Sequence, residues 1–186
     1  DEVWRFSTGG AVTAAPLIVG NMVYVGSLDG VFYAIDAETG EEMWTFGGAS
    51  NWYWGQAIAT EDTVYAPSLD GNLYALDSET GLLGWRLETE GPISGSPTLV
   101  MDMIAVPSAD GKVRLARLRD GKELDACNIG VEVRAPLVEH EGLVYFSARD
   151  RSIRALNIKS NGNPDEEWVH FTDQEDPLPR GRAPDC

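Results

Sequence analysis

The chain is 186 residues long, with 14 Lys+Arg against 30 Asp+Glu and a formal net charge of −16. At 43% apolar it can build a core, which excludes wholesale disorder. Its acidity argues against nucleic acid and anionic lipid as partners, and no apolar run approaches the roughly twenty residues of a spanning helix. In chain order, the first element is an extended segment around Trp4. Four short strands then follow: Ala15–Val19, a turn at Gly20-Asn21, Met22–Ser27, an Asp29-Gly30 turn, Val31–Asp36, a Glu38-Thr39-Gly40 turn and Met43–Phe46. Asp-Gly between two β-rich runs is a strong hairpin signal, because the tight turn needs positive φ. No stretch carries a sustained helical period of apolar residues.

The same unit recurs along the chain. Val23-Tyr24-Val25-Gly26-Ser27-Leu28-Asp29-Gly30 returns as Val64-Tyr65-Ala66-Pro67-Ser68-Leu69-Asp70-Gly71 and as Ile104-Ala105-Val106-Pro107-Ser108-Ala109-Asp110-Gly111. A degenerate copy ends on Asp150-Arg151, and the four aspartates are 41, 40 and 40 residues apart. Pro16, Ala57, Pro97 and Pro136 keep step, as do Gly40, Gly81 and Gly121. Trp4, Trp44 and Trp85 recur at the same interval; Asp125 takes the next slot and Trp168 the last. Four antiparallel strands per forty residues describe a propeller blade. The fold class is therefore all-β, a β-propeller of four repeats at about 3–47, 48–87, 88–129 and 130–171, with a Pro-rich charged tail or linker over 172–186.

These repeats resemble the PQQ-like β-propeller family. The resemblance rests on Phe32-Tyr33-Ala34-Ile35-Asp36-Ala37-Glu38-Thr39-Gly40 with Trp44, and on Leu73-Tyr74-Ala75-Leu76-Asp77-Ser78-Glu79-Thr80-Gly81 with Trp85. The third copy departs from it, with Arg114, Ala116 and Arg117 where Tyr, a hydrophobe and Asp are usual, and the fourth has Asn161-Gly162-Asn163-Pro164 in place of the Thr-Gly turn. The family includes quinone-dependent alcohol dehydrogenases, BamB-type scaffolds of outer-membrane assembly and sensor ectodomains. The resemblance implies six to eight blades, and an extracytoplasmic (periplasmic or cell-surface) location.

Counting strands exposes a mismatch. The three inner strands recur four times, but the Trp-type outer strand recurs five times, around Trp4, Trp44, Trp85, Asp125 and Trp168. A surplus strand leaves an unpaired edge. The segment at Trp4 is expected to complete a blade whose inner strands lie elsewhere, in a second copy or in a missing part of a ring of about eight blades. The first residue, Asp rather than Met, is read as a mark of processing, trimming or fragmentation.

Chemistry is sparsely encoded. His140 sits in a Glu139-His140-Glu141-Gly142 turn and His170 on the last strand. No nucleophile elbow and no calcium loop occurs. Asp36 and Asp77 recur once per repeat, which favours turn duty over catalysis. The quinone enzymes carry an adjacent cysteine pair near the cofactor; here Cys127 and Cys186 stand far apart, and a bridge and two free thiols both remain open. The reading is thus a non-catalytic scaffold with no cofactor, no metal and no catalytic residue, binding other proteins. The alternatives are a fragment of a quinone-dependent dehydrogenase and a sensor or glycan-binding ectodomain.

Two features point to partner contact. Asn51-Trp52-Tyr53-Trp54-Gly55-Gln56 breaks the repeat, and three consecutive aromatics cannot all face one side of a strand. A channel plug or local packing is the competing explanation. The charge is also uneven: residues 1–100 carry 2 basic and 14 acidic residues, whereas 101–186 carry 12 and 16. Arg114, Arg117, Arg149 and Arg151 belong to a basic cluster in the less acidic second half and form a candidate docking surface, as against ordinary solvated strand faces.

Overall fold

The computed structural model describes residues 1–160 and 162–172. Among them are four antiparallel sheets, each of four strands paired in chain order, and no helix. Blade 1 holds β1 (Leu17–Val19), β2 (Met22–Gly26), β3 (Phe32–Asp36) and β4 (Glu42–Phe46). Blade 2 holds β5 (Ile58–Ala59), β6 (Thr63–Pro67), β7 (Asn72–Asp77) and β8 (Leu83–Glu88). Blade 3 holds β9 (Thr98–Val100), β10 (Met103–Pro107), β11 (Lys112–Arg117) and β12 (Glu123–Asn128). Blade 4 holds β13 (Val138–His140), β14 (Leu143–Ser147), β15 (Ser152–Ile158) and β16 (Pro164–Phe171). The tail expected over 172–186 lies outside the described residues beyond Thr172, as does Cys186. Cys127 is fully buried on β12 and is not a free thiol.

Register repeats from blade to blade. Leu17, Ile58, Thr98 and Val138 pair with Tyr24, Tyr65, Ala105 and Tyr145. Between the third and fourth strands of every blade the register slips once, at Ala34/Ile35, Ala75/Leu76, Leu115/Ala116 and Ala155/Leu156. Such a bulge strengthens the local twist. This register corrects one alignment: Leu137, buried like Ala57 and Pro97, fills the slot assigned to Pro136, which is exposed.

The core lies between blades. One apolar cluster joins blades 1 and 2 around Phe32, Trp44, Tyr53 and Leu76. A second joins blades 2 and 3, and a third joins blades 3 and 4. Among the described residues no such cluster joins blade 4 to blade 1, so the four blades form an open arc.

The first two joints are pinned by a tryptophan of one blade against a glycine turn of the next; at the third, Asp125 takes that position and Leu124 lies against Gly162. Trp44 Nε1–H donates to Ser78 O at 3.0 Å and Trp85 Nε1–H to Leu118 O at 2.8 Å. The ring lies so close that a Cβ on Gly81, where φ is +70°, would sit 2.5 Å from Trp44 Cε3. Glycine alone meets both demands. Trp4 makes the same joint with blade 1: its Nε1–H donates to Ala37 O at 2.9 Å, and its ring covers Gly40. Gly9 N–H reaches Asp29 Oδ2 at 2.7 Å, as Ser50 N–H reaches Asp70 and Glu90 N–H reaches Asp110. Residues 1–8 thus occupy the place of a fourth strand belonging to a preceding blade. They form no ladder, because among the described residues no third strand lies beside them.

Candidate functional site

The aromatic triplet lies in the loop from blade 1 to blade 2. Its backbone is tied to the Asp-Gly turns of both blades: Tyr53 N–H donates to Ser27 O at 3.2 Å, and Trp52 O accepts Leu69 N–H at 2.9 Å. Extended backbone alternates its side chains. Tyr53 therefore points inward and is fully buried, while Trp52 and Trp54 remain 48% and 46% exposed. Tyr53 packs against Phe32 and Tyr74, with ring centroids 5.3 and 6.3 Å away. Burial pushes its hydroxyl far above the ordinary tyrosine value, and Tyr74 and Asp70 add to the shift. The hydroxyl has no hydrogen-bond partner. Room for this ring comes from Gly26, where a Cβ would lie 2.2 Å from Tyr53 Cβ. Blades 2 and 3 have Pro67 and Pro107 at that position. Tyr53 is thus a core residue and offers a partner no surface.

The arginines divide in the same way. Arg114 is buried and pairs with Asp110 at 2.6 Å and Glu123 at 3.3 Å. It stands where Tyr33 and Tyr74 stand in blades 1 and 2, whose hydroxyls donate to Asp29 and Asp70 at 2.7 Å. Arg154 repeats the exchange in blade 4, bonded to Asp150 at 2.6 Å and Glu166 at 3.0 Å. Arg114 therefore holds a turn and presents no charge to solvent. Arg117 folds back on Asp120 in two hydrogen bonds of 2.9 and 2.6 Å, and these hold the Asp120 carboxyl down at about 2. It replaces Asp36 and Asp77, whose carboxylates accept from the Thr39 and Thr80 N–H and hydroxyl groups as expected of turn residues.

Arg149 is exposed and donates to Glu132 at 2.7 Å; Arg134 donates to the same carboxylate at 3.0 Å. Hydrogen bonds from Arg134 and Arg149 lower Glu132 to about 2. Arg151, at φ +66°, takes the turn position held by Gly30, Gly71 and Gly111 in the other blades. A cleft of about 440 Å³ runs beside these groups, lined by Asp110, Gly111, Glu132, Arg149 and Asp150.

Repeat register places these features on one rim of the arc, the rim of the β2–β3-type turns. Ala11, Trp52, Pro92 and Glu132 each accept a backbone bond from the β2–β3-type turn of their own blade. Trp52 and Trp54 on blade 2 thus correspond to Glu132 and Arg134 on blade 4. The aromatic pair and the Arg149–Glu132–Arg134 group share that rim, two blades apart.

A family model described as outer membrane protein assembly factor BamB matches residues 1–51 and 33–124. No curated protein matches the chain. Among solved structures, BamB from Moraxella catarrhalis is similar at 22% identity and a TM-score of 0.77, over 90% of this chain and 51% of that one. This chain thus spans about half the length of that protein. The computationally designed protein Ika4 is similar at 20% identity and a TM-score of 0.77, over 86% of this chain and 99% of the design. The designed protein Ika8 follows at 19% and 0.68, over 87% of this chain and 46% of the design. At these identities the likeness is one of fold.

Proposed function

This chain belongs to the outer membrane protein assembly factor BamB family, and on that premise we propose that it is a non-catalytic propeller scaffold, acting outside the cytoplasm and binding other proteins. The observation that carries this reading is the pair Trp52 and Trp54. Both are half-exposed, yet the peptide between them is fixed by the buried Tyr53. Two large aromatic anchors on a rigid loop lose little entropy on binding, and Trp is enriched among residues that dominate protein interfaces. The exposed Arg149, with Glu132 and Arg134 beside it, supplies a polar contact on the same rim.

A photo-crosslinking residue placed at position 52 or 54 in the native cell envelope tests the proposal. Discrete protein adducts are expected from both positions and none from position 79, in the β7–β8 turn. Equal adducts from position 79, or recovery of the chain in the cytoplasm, would overturn it. The same tryptophans could stack on sugar rings in a sensor or glycan-binding ectodomain; retention on a carbohydrate array that is lost in Trp52→Ala would favour that reading.

A further inference from the structure

Blade 4 ends in a face built to receive another blade. Val138, Ile153 and Trp168 occupy the positions that Leu17, Phe32 and Trp44 hold in blade 1. Phe32 is 1% exposed and Trp44 8%, because blade 2 covers them. Ile153 is 42% exposed and Trp168 41%. Trp168 already stands beside Tyr145, with centroids 6.0 Å apart, as Trp44 stands beside Tyr24 at 5.8 Å and Trp85 beside Tyr65 at 5.6 Å. Among the described residues it lacks the glycine turn and the carbonyl acceptor that complete the joints at Trp44 and Trp85.

The opposite end of the arc is uncovered too. Val12 corresponds to Tyr53, Ile93 and Val133, all fully buried, yet it is 47% exposed. Ile18, which corresponds to Ala59 of the cluster between blades 1 and 2, is exposed as well. Blade 1 also carries the Asp36–Gly40 turn that a tryptophan joint requires, and Trp4 holds it.

We propose that the uncovered face of blade 4 docks on blade 1 of a second copy of this chain, and that residues 1–9 are a strap that β16 of that copy displaces. The two faces match because they are the two sides of a joint already made three times within the chain. A head-to-tail contact of this kind extends until it closes. Two arcs of four blades, each giving one face of each kind, close an eight-blade ring. The strap and β16 compete for one place and share a pattern: Asp1-Glu2-Val3-Trp4 against Asp165-Glu166-Glu167-Trp168. The strap is the weaker claimant. It has no ladder, and its described contacts with blade 1 are the Trp4 bond, the Gly9 bond and the packing of Trp4 and Phe6 on Val25, Tyr33 and Ile35. Ordering those residues costs backbone entropy that no ladder hydrogen bonds offset.

Sedimentation equilibrium over a concentration series tests this with the intact chain, a variant lacking residues 1–9, and Trp168→Asp in both backgrounds. The intact chain is expected to pass from one-chain to two-chain mass as concentration rises. Removing the strap should shift that midpoint about tenfold lower, and Trp168→Asp should hold both forms at one-chain mass. High salt should favour the pair, since each copy carries a net charge of −16. If the truncated chain loses its circular dichroism signal, Trp4→Ser with Phe6→Ser in the intact chain gives the same readout. One-chain mass for every folded form would overturn the proposal and leave the face to blades of another polypeptide. Two-chain mass surviving Trp168→Asp would overturn it as well.

Discussion

Trp44 and Trp168 hold the same position in their blades, so replacing each with Ala isolates what the next blade contributes. Trp44 is nearly fully buried, touches Tyr24 and Phe32, covers Gly81 and donates to Ser78 O. Truncating such a residue costs about 3–5 kcal/mol in lost burial and cavity. Trp168 packs against Tyr145 of its own blade, and among the described residues no following blade covers it. With two fifths of its surface exposed, its loss should cost about 1–2 kcal/mol in the single chain. Urea unfolding followed by circular dichroism, at concentrations where only single chains exist, resolves the difference. With a slope of about 2–3 kcal/mol per M, Trp44→Ala moves the midpoint by about 1–2.5 M and Trp168→Ala by about 0.3–1 M. Equal losses for the two variants would refute the reasoning, because they would mean that something already covers blade 4.

Other variants test separate parts of the structure. Gly81→Ala should cost more than about 2 kcal/mol, because it combines a left-handed φ with a clash against Trp44; Gly84→Ala, whose Cβ would meet nothing nearer than Ala75 O at 3.5 Å, should be close to neutral by the same assay. Tyr53→Phe removes a buried hydroxyl that has no partner and should leave stability unchanged or raise it by up to about 1 kcal/mol; a loss of that size would show that the hydroxyl is bonded. Burial raises the Asp70 carboxyl, but hydrogen bonds from Tyr74, Ser50 and Asn72 outweigh it and hold the group below its ordinary value. Its folded form therefore binds fewer protons than the unfolded chain, so its stabilisation is complete above the ordinary carboxylate range and is lost as pH falls through the depressed value. Acid titration of Asp70→Asn should accordingly show a shallower fall than the parent, and an unchanged slope would remove Asp70 from the account.

The blades were legible because their signals are local. Asp-Gly turns, Thr-Gly turns and the tryptophan period each lie within a few residues, and the surplus fourth strand followed from counting them. What the sequence hid depends on contacts across blades. The triplet 52–54 required at least one exposed ring; Tyr53 is the buried one because it holds the register position of Ile93 and Val133, which are buried too, and Gly26 of blade 1 makes the room that a ring needs there. Arg114 looked like part of a basic surface because it was read by charge. Its alignment with Tyr33 and Tyr74 carried the better signal, since that position faces an aspartate in every blade. Residues 1–8 took their expected place without becoming a strand, because strand structure requires the partner they lack.

The open arc is the claim on which the docking face, the strap and the tryptophan comparison all rest. Small-angle X-ray scattering of Trp168→Asp, the form expected to remain a single chain, tests it most directly. The account predicts a profile that fits four blades in an open arc; a profile that fits a closed ring, with blade 4 against blade 1, would contradict it.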